Sequence, residues 1–241
     1  MLNNEQVGIS AEIAIADVFG VGVNPTYRSR GVSSITQSIK PIVGSIFASY
    51  NIPSPIKHIA EGQNAVDFNL SGGKTLSVKT NKQALGKAAP QKIGQASSST
   101  WYSHLAKALS IETIPSTYAE KARLFKQIAL IRIDELLALY WENMFDCDYL
   151  VHFYNVVDRN DNPTNSPQFV VFEKSSSPAW DKNKISFTKS TVAAWNESTT
   201  VKYDSVTIGE FQVHNNRDNF KFRFNMAGVA ELLKKNKLTL S

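Results

Sequence analysis

Apolar residues recur at helical spacing near the start of the chain: in EQVGISAEIAIADVF (residues 5–19), Val7, Ala11, Ala14 and Val18 share one face. Gly20, Gly22 and Pro25 end that helix. TYRSRGVSSITQSIK (26–40) is polar and basic, and its Arg28, Arg30 and Lys40 suit a solvated or phosphate-facing segment. A second helix is expected over 41–50, stopped by IPSP. Two strand-like runs around a glycine pair follow, AVDFNLSGGKTLSVKTNK (65–82), then the loop KQALGKAAPQKIGQ, where Pro90 is placed to open a helix reaching Leu109.

Residues 116–144 are predicted helical, with a break near 129–133. The last hundred residues change period. DYLVHFYNVV and QFVVFEK read as strands around the turn-rich DRNDNPTNSP; KISFTK, TTVKYDSVTIGEFQVH and NFKFRFN follow as strands, and MAGVAELLKK as a closing helix. This order predicts one mixed α/β (α+β) domain over 1–241. Its core lies around 5–110, followed by the helical segment 116–144 and then C-terminal strands over 147–241.

In the first hairpin, alternation puts Val66, Phe68 and Leu70 on one face and Ala65, Asp67 and Asn69 on the other. On the second arm Leu76 and Val78 oppose Thr75, Ser77 and Lys79. Matching the apolar faces requires an odd loop. A Gly72-Gly73-Lys74 loop sets Asp67 opposite Lys79; a slip of two sets it opposite Ser77 and diagonal to Lys79. Either register gathers Asp67, Ser77 and Lys79 on one face. A cross-strand ion pair on a solvated face is the plain alternative to a chemical role.

Composition narrows the classes. With 42% hydrophobic and 20% charged residues the chain can bury a sizeable core. The net charge of +5 leans toward an anionic partner such as nucleic acid. A single cysteine, Cys147, excludes an internal disulfide and a multi-cysteine zinc site, and agrees with a reducing cytoplasm. MLNNEQVGIS has neither the basic start nor the apolar stretch of a signal peptide, and no apolar run approaches the roughly 20 residues that span a bilayer. His58, His104, His152 and His214 lack metal-ligand spacing, and SGGKT lacks the upstream glycine of a phosphate-binding loop.

An acid on one strand, a turn, and an acid-x-Lys on the next resembles the PD-(D/E)XK nuclease core of type II restriction endonucleases. Here Asp67 in VD matches the first element and Ser77-Val78-Lys79 the second, with Lys79 twelve residues after Asp67. Ser77 stands where the family usually has Asp or Glu. The resemblance implies a restriction-endonuclease-like fold with a mixed central sheet flanked by helices, and Mg²⁺-dependent hydrolysis of double-stranded DNA. It implies Asp67 as the main metal ligand and Lys79 as the residue that orients or helps deprotonate the attacking water. Ser77 would contribute a hydroxyl, and the Val78 carbonyl a further metal ligand. Similar nucleases often carry a glutamate on the preceding helix. Glu12, a lone carboxylate in an apolar helix, is the candidate to supply the missing acid, unless it marks that helix's exposed face; Glu61 is a weaker alternative.

Candidate DNA contacts are Lys82, Lys87, Gln91, Lys92 and Gln95 after the hairpin, with Gln91 and Gln95 one turn apart if Pro90 opens a helix. Others cluster on the second hairpin, GEFQVHNNRDNFKFRFN: His214, Asn215, Asn216, Arg217, Asn219, Lys221 and Arg223, beside an aromatic stripe of Phe220, Phe222 and Phe224. An edge hairpin that uses charge against aggregation is the alternative there. The leading expectation is a cytoplasmic, homodimeric type II restriction endonuclease, since two-fold proteins match palindromic sites. Trp141 and Phe145 are candidates for the dimer face or for the core. Another nuclease of the same fold, acting in repair or on junctions, remains open, as do a non-catalytic DNA-binding relative and a ligand- or protein-binding module.

Overall fold

Asn3 opens the first helix through a reciprocal cap: its side chain accepts the Gln6 N–H at 2.8 Å, and the Gln6 side chain accepts the Asn3 N–H at 3.0 Å. The helix, α1 (Asn4–Phe19), closes at Gly20, whose φ of 68° is left-handed. The structure, a computed structural model, describes residues 2–60, 66–174 and 177–238. Ala65 and Glu61 lie outside the described residues.

A four-residue helix α2 (Pro25–Arg28) leads to α3 (Ser33–Ser49), which begins eight residues earlier than expected. The polar spelling of 33–40 hides a stripe of Ile35, Ile39, Val43 and Ile46, all buried, and Pro41 is carried inside the helix. Then come β1 (Pro55–His58), which the sequence reading missed, β2 (Phe68–Leu70) and β3 (Thr75–Thr80). The helix expected from Pro90 is replaced by two short strands, β4 (Lys87–Ala88) and β5 (Gln95–Ala96), and by α4 (Ser98–Leu105). Pro90 instead starts a tight turn that closes with the Gly94 N–H on the Pro90 carbonyl at 3.1 Å, and Ser97 caps the helix. Gln91 and Gln95 therefore do not share a helical face.

The long helical segment breaks at Arg132, between α5 (Tyr118–Ile131) and α6 (Ile133–Met144). Next are β6 (Tyr149–Tyr154), β7 (Gln168–Glu173) and β8 (Ile185–Phe187). TTVKYDSVTIGEFQVH is two strands rather than one, β9 (Ser198–Tyr203) and β10 (Val206–Val213), joined through Asp204 and Ser205, both at positive φ. β11 (Phe220–Asn225) and α7 (Met226–Lys234) follow, the helix capped by Asn225.

The chain divides into two compact units, residues 1–86 with 145–174, and residues 87–144 with 175–241. The first holds a mixed sheet in the order β1-β2-β3-β6-β7, parallel only between β3 and β6. α1 and α3 pack together in this unit, and α1 also packs on β3. The core they close contains Val7, Ala11, Ile39, Val43, Phe68, Leu76 and Val151. Small residues on α1 let it lie close to the strands that carry the site.

The second unit holds an antiparallel sheet, β4-β11-β10-β9-β8, with β5 also pairing β11. β11 is thus flanked on both sides and is not an edge. Its phenylalanines are core: Phe220 stacks on Phe125 at 4.4 Å and Phe222 on Tyr140 at 4.5 Å. Trp141 and Phe145 are both buried, so neither presents an outer face. Among the described residues no helix is long and apolar enough to cross a membrane.

Candidate active site

The β2–β3 turn decides which residues meet. Leu70 N–H closes on the Lys74 carbonyl at 2.8 Å, leaving Ser71, Gly72 and Gly73 as the turn. Gly72 and Gly73 sit at φ 71° and 72°, a region that a side chain makes costly. Phe68 then pairs with Leu76, and Asn69 with Thr75. This is the register that sets Asp67 opposite Ser77 and not opposite Lys79.

Asp67 sits just before β2, where its side chain reaches across to the next strand. Its Oδ2 accepts the Val78 N–H at 2.6 Å and the Ser77 hydroxyl at 3.3 Å. Asp67 N–H donates to the Leu76 carbonyl at 2.9 Å. So Ser77 holds the neighbouring carboxylate where an acid would repel it. Burial pushes the Asp67 carboxyl up to about 6, and the Glu12 charge pushes the same way. Lys79, the Val78 N–H and the Ser77 hydroxyl pull back.

Glu12 is buried on α1, at 6% exposure, so it does not mark that helix's exposed face. A carboxylate so enclosed needs donors. Its Oε2 accepts the Tyr27 hydroxyl at 2.8 Å and is bonded to His58 Nε2 at 2.8 Å. Tyr27 comes from α2, and its ring lies 4.9 Å from that of His58; the Phe68 ring also lies 5.1 Å from the imidazole. Tyr27 and His58 are partners that the sequence reading missed. His58 ends a strand too short and proline-flanked to stand out, and Tyr27 lay in a stretch read only for its charges.

Below Lys79 the parallel ladder places His152 of β6. Burial, then the Lys79 charge, presses that imidazole down to about 4, so it is neutral at physiological pH. His152 Nε2 bonds the Asn81 side-chain oxygen at 2.8 Å. Burial pushes the Cys147 thiol up to about 12, against the pull of Lys79 and the Ser77 N–H. The thiol is therefore protonated and not poised as a nucleophile at neutral pH.

The geometry thus brings together Asp67, Ser77, Val78, Lys79 and Glu12, and adds His58 and Tyr27. Among the described residues no three His, Cys, Asp or Glu side chains converge as a closed metal cage. The donor set is two carboxylates of like charge, with Oδ1 of Asp67 and Oε1 of Glu12 accepting no hydrogen bond from the described residues. That set fits Mg²⁺, which keeps several waters and takes one or two carboxylates. A divalent cation would also relieve the repulsion that raises Asp67.

The other candidates are dispersed. Lys82 is bound to Asp161 at 2.9 Å and to the Leu2 carbonyl, in the first unit. Arg28 and Lys40 both pair with Asp17, at 2.7 and 2.8 Å, and Arg30 with Glu5. In the second unit Lys87 pairs with Glu210. Lys92 and Gln95 are exposed, and Gln91 is half-buried. Asn215, Asn216 and Arg217 are exposed at the β10–β11 turn, where Arg217 bonds His214 at 2.9 Å and Asn215 bonds Asn196 at 3.0 Å. Asn219 donates to the Gln95 carbonyl at 3.2 Å. Lys221 and Arg223 alternate with the buried phenylalanines.

The chain is similar to a type II restriction enzyme. Over 170 residues it is 29% identical to the type II restriction enzyme CviAII of Paramecium bursaria Chlorella virus 1. The match takes in 70% of this chain and 44% of that enzyme, so the chain spans less than half of its relative's length. No family model matches the chain, and no solved structure matches it.

Proposed function

We propose that the protein is a Mg²⁺-dependent, sequence-specific endonuclease of the PD-(D/E)XK kind, cutting double-stranded DNA as a type II restriction enzyme does. The observation that carries this reading is that half-buried Asp67 feels the charge of buried Glu12, with Lys79 offsetting it. Two acids that share one site repel each other even when each has its own donors, and a bound cation would relieve that repulsion. The likeness to a restriction enzyme points the same way.

Asp67 and Glu12, with the Val78 carbonyl, would hold the metal, which when bound polarises the scissile phosphate and eases ionisation of a water. Asp67 is kept in place by the Val78 N–H and the Ser77 hydroxyl. Lys79 orients the attacking water and offsets negative charge as it gathers on the phosphate. Glu12, fixed through one oxygen by Tyr27 and His58, keeps its other oxygen available to a cation. The reading carries with it a two-fold assembly on a palindromic duplex and an intracellular site of action, in keeping with a lone buried cysteine.

Incubating the protein with unmethylated phage DNA and Mg²⁺, beside an EDTA control, tests it. Discrete fragments are expected from the wild type, and none with EDTA. Asp67→Asn and Lys79→Ala are expected to lose at least about 100-fold in cleavage while keeping DNA binding. Intact DNA across several substrates, with Mn²⁺ as well, would remove the nuclease reading.

A further inference from the structure

In the second unit, strand alternation sorts β10 and β11 into two faces. Phe211, Val213, Phe220, Phe222 and Phe224 are buried on one. Glu210, Gln212, Lys221 and Arg223 lie on the other. Pairing sets Lys221 opposite Gln212 on one side and opposite Gln95 on the other; Arg223 lies opposite Glu210. Lys87, on β4, completes the group.

Charge is distributed unevenly over this face. Glu210 is held by three neighbours: Lys87 in an ion pair, the Gln212 amide, and the Arg223 guanidinium at 3.7 Å. Burial works to raise its carboxyl, but the bond from Lys87 and the other donors keep it below the usual range. Lys221 makes no ion pair with a described residue, and burial, Arg217 and Arg223 all work against its charge. The Arg223 Nε is buried without a partner among the described residues. Such a surface has one crowded cation ready for an anion, and two more that an internal carboxylate neutralises.

We propose that this sheet face is where the protein meets duplex DNA, and that Glu210 sets its selectivity by occupying Lys87 and Arg223 until base contacts replace it. The nuclease reading supplies only the identity of the polyanion. Gln95, Gln212 and Lys221 stand on adjacent strands, with the donors and acceptors that match adenine and guanine edges, and strands can enter the major groove. Glu210 works as a repulsive element: a carboxylate facing phosphate penalises every register that does not compensate it.

Binding of a short random-sequence duplex, by fluorescence anisotropy across a salt series without divalent metal, tests this on the full chain carrying Asp67→Asn. Adding Glu210→Gln is expected to tighten binding about 10-fold and to steepen the salt slope by about 1. Glu112→Gln, the same charge change at an exposed residue of the same unit, should barely move either. Lys221→Ala and Gln212→Ala, singly, are expected to weaken binding several-fold. If Glu210→Gln matches its parent, Glu210 is only an ion-pair partner and the selectivity claim falls. If neither Lys221→Ala nor Gln212→Ala changes binding, DNA docks elsewhere and the surface claim falls. Those two variants also decide the surface if circular dichroism finds Glu210→Gln unfolded. Binding through this face without cleavage by the wild type in Mg²⁺ would sink the nuclease reading alone; cleavage indifferent to these residues would sink the present proposal alone.

Discussion

At the scale of single residues, Asp67 has an unusual balance: two donors fix its Oδ2, yet burial and Glu12 hold its carboxyl near 6. Folding raises that pKa above the unfolded value of 3.8, so the folded state binds the proton more tightly. The carboxyl's contribution to stability is therefore complete below pH ~4 and is lost as pH rises through 6. Asp67→Asn, which keeps the acceptor for Val78, should gain melting temperature relative to metal-free wild type between pH 4 and 7, and then level off. A difference that stays flat across that range would mean Asp67 ionises as a solvated acid does. Adding Mg²⁺ at pH 8 should raise the wild type and not the variant. In the proposed centre His58 would act through Glu12, as a positioning residue. His58→Ala should weaken Mg²⁺ binding, read by calorimetry, by about 10–100-fold, and lower kcat with little change in KM for DNA. His58→Gln retains a donor and should recover part of both. Metal affinity in His58→Ala equal to that of wild type would leave the imidazole a packing residue.

At the scale of elements, the parts of the fold legible in sequence are those with local causes. α1 follows from its apolar spacing and from Gly20. The hairpin follows from alternation around two glycines, which narrowed its pairing to two registers; the closure of Leu70 on Lys74 selects between them. β4 and β5 were not legible, because two-residue strands exist only through their pairing with β11, more than 120 residues away. α3 was cut short because Ser33, Ser34 and Thr36 spell polarity while Ile35 and Ile39 do the packing. The gathering of Asp67, Ser77 and Lys79 on one face was readable from alternation, but the Glu12–His58–Tyr27 tie joins three elements and has no local signature. One docking contact is testable in the same terms. Gly228 brings α7 onto the start of β10, where an added Cβ would meet the Thr207 carbonyl oxygen at 1.9 Å. Gly228→Ala should therefore destabilise by about 1–3 kcal/mol, measured by urea unfolding, because backbone must move to admit it. An unaltered midpoint would show that α7 adjusts freely.

At the scale of the whole molecule, each compact unit is assembled from two separate stretches of chain, so neither can be cut out as one continuous fragment. The division also separates the two proposed sites. Asp67, Glu12 and Lys79 belong to the first unit, and the polar sheet face with Lys221 and Glu210 to the second. If the first unit holds metal and the second meets DNA, the two ligands should leave separate marks on the full chain. Hydrogen exchange reads this directly, since an amide exchanges at the rate its local structure opens. Mg²⁺ alone should slow exchange in α1 and in the β2–β3 hairpin, where Val78 N–H is bonded to Asp67, and leave β10 and β11 unaltered. Duplex without metal should slow β10, β11 and the turn between them. Metal protection confined to the second unit would displace the proposed centre. DNA protection confined to the first would move recognition onto the strands that carry the carboxylates.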